Sequence, residues 1–295
     1  MIPRSLLRGS SLITRFKKNK AEPRFYSYYF NFPGGRKRLK EIETGSTMKH
    51  INVGDMSQMI IPYPTKAEQT AIATALSDAD ALITQLEKLI AKKRAIKQGA
   101  MQELLKPKDG WEVKKLGDVA EFINGRAYNL SEWELQGTPV IRLQNLTGRS
   151  AEYYYSNLKL PEKNFCKNGD LLFMWSATFG PIIWKGERAI YHYHIWKIQC
   201  RESLSDKKYL FYILDNLTEK LKRSSSSGGI MLHVTKEKME STEIVLPDII
   251  EQTRIAQILS DMDSEIEALE KKLDKYKMIK LGMMQNLLTG RIRLI

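Results

Sequence analysis

Arg142, Gln144, Asn145 and Arg149 fall within eight consecutive residues, and Asn124-Gly125-Arg126 makes a second polar group shortly before them. These side chains suit base edges in duplex DNA: a guanidinium spans the two acceptors of guanine, and an Asn or Gln amide matches the donor and acceptor of adenine. Ser176, Thr178, Tyr191 and His192 are further polar candidates on strand-like stretches. Arg223 and Lys236 are expected to meet phosphates, which gives affinity without sequence choice. Trp175, Phe179, Trp184 and Trp196 could stack on bases, but aromatic residues in strands more commonly form core.

Catalytic patterns are missing. There is no Gly-x-x-x-x-Gly-Lys phosphate loop, no Gly-x-Ser-x-Gly elbow, no His-Glu-x-x-His pair, and no Asn/Asp-Pro-Pro-aromatic motif of an amino-methyltransferase. No catalytic residue and no cofactor is therefore expected. His192 and His194 would share one face of a strand, a spacing that a metal could use. No third ligand is in view, and Cys166 and Cys200 have no partner at ligand spacing, so neither a metal site nor a disulfide is expected.

The elements that must position these residues show first in a long-range repeat. Shifted by 183 positions, residues 68–105 match 251–288 at 21 of 38 positions without a gap. Glu68-Gln69-Thr70 falls on Glu251-Gln252-Thr253, and Leu76-Ser77-Asp78 on Leu259-Ser260-Asp261. Both copies space apolar residues alternately by four and three: Ile72, Leu76, Ala79, Ile83, Leu86 and Ile90, then Ile255, Leu259, Met262, Ile266, Leu269, Leu273 and Tyr276. That is a heptad seam on a helix about 55 Å long, whose natural partner is the other copy. Pro62, Pro64 and Pro247 precede the helices. Met48 and His50 also match Met231 and His233, so the repeat reaches back beyond the helices.

Between the helices the sequence alternates strand-like runs with Gly, Asn and Asp turns: Lys115 to Val119, Pro139 to Leu143, Asp170 to Trp175, Pro181 to Trp184, and Tyr191 to Gln199. A helix over 207–222 follows, then a Ser- and Gly-rich loop. The formal charge of +13 over 295 residues attracts polyanions. No apolar run approaches the length of a membrane span, and a reducing cytoplasm fits the two cysteines best.

The tandem pattern of Pro-x-x-x-Glu-Gln, Ile-Ala, Leu-Ser-Asp and a helix ending Gly-x-Met-Gln-x-Leu-Leu resembles the helical regions of type I restriction-modification specificity subunits. Trp111 to Val119 looks like the opening of that family's target recognition domain, and Gly169 to Trp175 and Ser227 to His233 like its later landmarks. The resemblance implies an α+β fold, a mixed α/β target recognition domain flanked by two long antiparallel coiled-coil helices. It implies domains at 1–66 (the remnant of a first recognition domain), 67–106 (first helix), 107–249 (complete recognition domain) and 250–295 (second helix). Its implied partners are double-stranded DNA, methyltransferase subunits, and a restriction and translocation subunit. With one complete recognition domain, the chain could also pair with a second copy of itself through a two-fold interface and read a symmetric target. An assembly module or silent cassette without independent DNA binding is the alternative.

Overall fold

The computed structural model describes residues 16–17, 19–45, 49–176, 178–225 and 234–294; Met48, Met231 and Ser227 to His233 lie outside them. The side chains of residues 130 and 223–225 are likewise not described. The chain divides into two compact units, 1–94 with 265–295, and 95–264.

Unit 1 is helical. Short helices α1 (Pro23–Asn31), α2 (Pro33–Glu41) and α3 (Val53–Gln58) precede α4 (Lys66–Leu104), and the unit closes with the later part of α9 (Ile249–Leu287). Proline fixes the start of α1, where the Glu22 side chain accepts from the Arg24 N–H, and Pro33 ends α1 and starts α2. The core joins Phe25, Tyr26, Tyr29 and Phe32 to Ile72 and Leu76 of α4 and to Met284 and Leu287 of α9. Ion pairs Lys93–Glu265, Lys277–Glu87 and Lys280–Asp80 rise along one helix as they fall along the other, so α4 and α9 run antiparallel. Residues beyond α9 fold back, and Arg293 forms a two-pronged pair with Glu68, which is buried.

Unit 2 opens with the end of α4, then β1 (Glu112–Lys115), α5 (Leu116–Val119), β2 (Ala120–Asn124), β3 (Thr138–Ile141), α6 (Leu143–Leu146), β4 (Tyr154–Ser156), β5 (Phe165–Cys166), β6 (Leu171–Ser176), β7 (Thr178–Ile183), β8 (Ala189–Tyr191) and β9 (Ile195–Cys200). Next come α7 (Lys207–Ser225), α8 (Lys236–Glu240), β10 (Glu243–Leu246) and the start of α9. One sheet has the order β2-β9-β6-β7 and is antiparallel throughout; a second has the order β4-β3-β8-β5, with β3 and β8 parallel; β1 pairs with β10. The main core packs Phe122, Phe173, Phe179 and Trp196 of the first sheet against Tyr209, Leu210 and Ile213 of α7 and against Ile255 and Leu259 of α9. The two expected long helices and the mixed domain are all present, and the seam residues Ile72, Leu76, Leu86, Ile90, Ile255, Leu259 and Ile266 are buried.

Two expected strands are different. Lys115 to Val119 turns helical after Lys115, because the Asp118 carboxylate accepts from the Lys115 N–H and starts a turn. The run Tyr191 to Gln199 breaks at Tyr193–His194: β8 belongs to one sheet and β9 to the other, so His192 and His194 do not lie on one face of one strand. Among the described residues no cluster of three or more His, Cys, Asp or Glu could hold a metal.

Each unit repeats the same local fastening. In unit 1 Gln69 Oε1 accepts from the Glu22 N–H at 2.8 Å, while its amide donates to Pro64 O at 2.8 Å and Lys20 O at 3.4 Å. In unit 2 Gln252 Oε1 accepts from the Asp206 N–H at 2.9 Å, and its amide donates to Pro247 O and Leu204 O. The Tyr28 hydroxyl donates to Asp80, which also takes Lys280; the Tyr212 hydroxyl donates to Asp263, which also takes Lys97. The helix α1 is thus the counterpart of the start of α7, at a shift of 184 rather than 183.

Candidate nucleic-acid interface

At one end of unit 2 the sheet topology gathers five chain segments. Asn124 ends β2 opposite Trp196 near the start of β9, and Met174 near the end of β6 faces Ile195. The β6–β7 hairpin turns there between Ser176 and Thr178, and Ile141 at the end of β3 lies beside Tyr191 at the end of β8. The turn at 192–194 ties them together: His192 N–H donates to Ile141 O, Tyr193 N–H to Arg126 O, and Trp175 N–H to His194 O. Gly125 is required here because a Cβ would stand 2.3 Å from His192 O and 2.5 Å from Tyr191 O.

A layer of rings supports this end. Tyr128 stacks on Trp133 at 4.6 Å between centroids, and Trp133 meets Tyr154 at the same distance. The Arg142 guanidinium lies 5.0 Å from the Tyr154 ring centre and 5.8 Å from that of Trp133. On the other side Trp175, Tyr193 and His194 form a second cluster, in which the Trp175 ring N–H donates to Tyr193 O at 2.8 Å.

The candidates separate by what their polar groups already do. Arg142 is half-buried and stacked, and its guanidinium has no protein acceptor among the described residues, so its donors are oriented and unspent. Asn124 and Arg149 are exposed, and Gln144, Ser176 and Thr178 are partly exposed at the same end or just beyond Arg142. Arg126 instead forms a two-pronged pair with Glu132, whose carboxyl is held below its usual range by Arg126 and by the Asn129 N–H. Asn145 is consumed by the turn: its carbonyl accepts from Arg142 N–H at 2.9 Å, and its amide donates to Ser150 O and Glu152 O. Tyr191 is fully buried with its hydroxyl donating to Lys163 O at 2.6 Å, a core position rather than a surface one. His192 is also buried, and burial, then His194 and Arg142, push its pKa down to about 4. Its ring is therefore neutral at neutral pH.

Other candidates lie elsewhere. Lys236 opens α8 and pairs with Glu240, whose side chain packs near Gly117 of α5, at the opposite end of β2. Arg223 lies on α7. Phe179 and Trp196 are core, and Trp184 closes the far end of β7 by donating to Glu187 O. Tyr128, Trp133, Tyr154 and Tyr193 line this candidate site and were not singled out from the sequence. For the first three the available signal was the interleaving of aromatic and basic residues over 126–154.

The chain matches the family described as the type I restriction modification DNA specificity domain over residues 9–98 and 108–277. It belongs to that family. A type I restriction enzyme MjaVIII specificity subunit from Methanocaldococcus jannaschii is 33% identical over 193 residues, covering 64% of this chain and 44% of the relative's own length. The chain thus spans less than half of that relative. A putative MjaX specificity subunit of the same organism is 28% identical over 318 residues, covering 99% of this chain and 73% of that protein. Among solved structures, a type I restriction-modification S subunit from M. genitalium superposes with a TM-score of 0.60 at 15% identity, covering 92% of this chain and 74% of that one. The HsdS subunit of Thermoanaerobacter tengcongensis gives 0.50 at 19% identity, over 92% and 71%. These likenesses fix the shared specificity-subunit architecture of mixed domain and long helices. The family is that of type I restriction modification DNA specificity domains. Among the described residues no helix is long and apolar enough to cross a membrane.

Proposed function

We propose that the chain reads one half-site of duplex DNA through the end of unit 2 that carries Asn124, Arg142, Ser176 and Thr178, and docks methyltransferase subunits through α4 and α9. The observation that carries the reading is Arg142, held over Tyr154 and Trp133 with no acceptor for its guanidinium among the described residues. An arginine pre-oriented in this way loses little side-chain freedom when it forms a bidentate pair with guanine. The exposed rings of Tyr154 and Tyr193 give neighbouring bases or sugars an apolar surface to lie against.

The domain boundaries proposed are 1–66, 67–106, 107–249 and 250–295. Unit 1 contains counterparts of α7 and of the helix fastening, but among the described residues no sheet comparable with those of unit 2. One chain is accordingly assigned one half-site, and a second copy supplies the other half of a symmetric target. The restriction and translocation subunit joins the complex of this chain with methyltransferase, in the cytoplasm. Co-expression with the cognate methyltransferase subunit, followed by sequencing of the DNA retained from a random pool, tests the reading. A short fixed motif supports it, and a palindrome supports two copies. Methyltransferase bound without any motif would favour the assembly-module reading.

A further inference from the structure

Unit 1 presents a cationic helix that the half-site and the helix seam leave unused. α2 has the sequence Pro-Gly-Gly-Arg-Lys-Arg-Leu-Lys-Glu, with four cations and one acid. Arg36, Lys37, Arg38 and Lys40 are all exposed, and none pairs with a carboxylate among the described residues. Two of them are partly anchored: Arg36 Nη2 donates to Asn31 Oδ1 at 2.8 Å and Arg38 Nη1 to Ile60 O at 2.9 Å. The helix itself is seated hard on α1, since Gly35 is buried and a Cβ there would stand 1.8 Å from Tyr29 O. A structural use for so many unpaired like charges is missing, because crowding them on one short helix costs self-repulsion.

The internal repeat supplies an independent observation. With α1 matched to the start of α7 through Tyr28 and Tyr212, the same shift of 184 places Arg36 on Lys220 and Arg38 on Lys222. Basic residues thus recur at the same distance from the fastening in both units, although α1 stops at Asn31 and α7 continues to Ser225.

We propose that α2 of unit 1 grips the phosphate backbone of duplex DNA without regard to base sequence. This rests on the reading of the chain as a DNA-binding subunit. It adds a contact on the unit that has no described sheet, so that each unit holds DNA and unit 2 alone chooses its sequence. Neutralised phosphates release condensed counterions, so the contribution appears as a steeper fall of affinity with salt.

The test uses the full chain, with the duplex recovered by selection and a shuffled duplex, titrated by fluorescence polarisation over a range of salt. The triple variant Arg36→Gln, Lys37→Gln and Lys40→Gln leaves Arg38 and its bond to Ile60 in place. Its slope of log affinity against log salt should be shallower by about two to three, and both duplexes should weaken by the same factor. The single variant Lys37→Gln, at an exposed site without partners, should lower the slope by about one, and guards against misfolding of the triple variant. An unchanged slope in both variants would overturn the assignment, as would a changed ratio between the two duplexes. If the wild type shows no preference between duplexes while the variants lose slope, the helix assignment stands and the half-site reading falls. A wild type that binds neither duplex overturns both.

Discussion

Replacing His192 by Gln removes a buried group that titrates abnormally and should flatten the acid side of the stability profile of unit 2. Its pKa of about 4 in the folded chain lies below the ordinary value of 6.5. Between those values the unfolded chain binds a proton that the folded chain refuses, so stability contributed by the neutral ring is full above about pH 6.5 and is lost as the pH falls towards 4. At about 1.4 kcal/mol for each pKa unit, the loss between pH 7 and 4.5 amounts to about 2 kcal/mol. The assay is urea unfolding at a series of pH values, followed by tryptophan fluorescence. All five tryptophans, Trp111, Trp133, Trp175, Trp184 and Trp196, lie in unit 2, so the signal belongs to the unit that holds His192. Wild type should lose about 2 kcal/mol more than His192→Gln over that interval, whatever the carboxylates contribute to both. Parallel profiles would refute the burial argument and open the ring to solvent.

Further perturbations probe other parts of the account. Gln252→Ala strips the Asp206 N–H and the Leu204 and Pro247 carbonyls of a buried partner and should lower the stability of unit 2 by about 2–3 kcal/mol, seen as a lower midpoint in the same urea experiment. Gly125→Ala forces a Cβ into the backbone of Tyr191 and His192 and should cost about 1–3 kcal/mol and abolish target preference together, whereas retained preference would show that the turn does not shape the interface. Arg142→Ala should reduce discrimination at one base position by about 1–3 kcal/mol, roughly fivefold to 150-fold, with little change in melting temperature, measured by competition between matched and single-substituted duplexes.

The long helices were legible because two signals coincide in them, a heptad seam and an ungapped duplication, and both can be read without knowing any contact in the fold. The matching of α1 with α7 was not. It depends on Tyr28 and Tyr212 finding Asp80 and Asp263 across more than fifty positions, and the shift slips by one between these helices and the long ones. The break between β8 and β9 was hidden because Tyr191 to Gln199 contains neither Gly nor Pro, and its one trace is a change of phase in the alternation at Ile195-Trp196; what breaks it is the assignment of its halves to different sheets. Within the candidate site, composition picked segments that the fold brings to one end of unit 2 but could not rank the residues in them. Arg126 and Arg142 look alike in sequence and both lie against aromatic rings, yet Glu132 neutralises the first while the second meets no carboxylate among the described residues. Asn145 and Tyr191 are likewise polar groups whose bonds are made inside the fold.

The most direct test of the central claim is selection of DNA from a random pool by the chain bound to its methyltransferase subunit, run in parallel for wild type and Arg142→Ala. The account predicts a fixed short motif for wild type and a motif degenerate at one position, or at its symmetric pair, for the variant. An identical motif from both proteins would contradict the placement of base reading at Arg142, and the absence of any motif from wild type would contradict the recognition role itself.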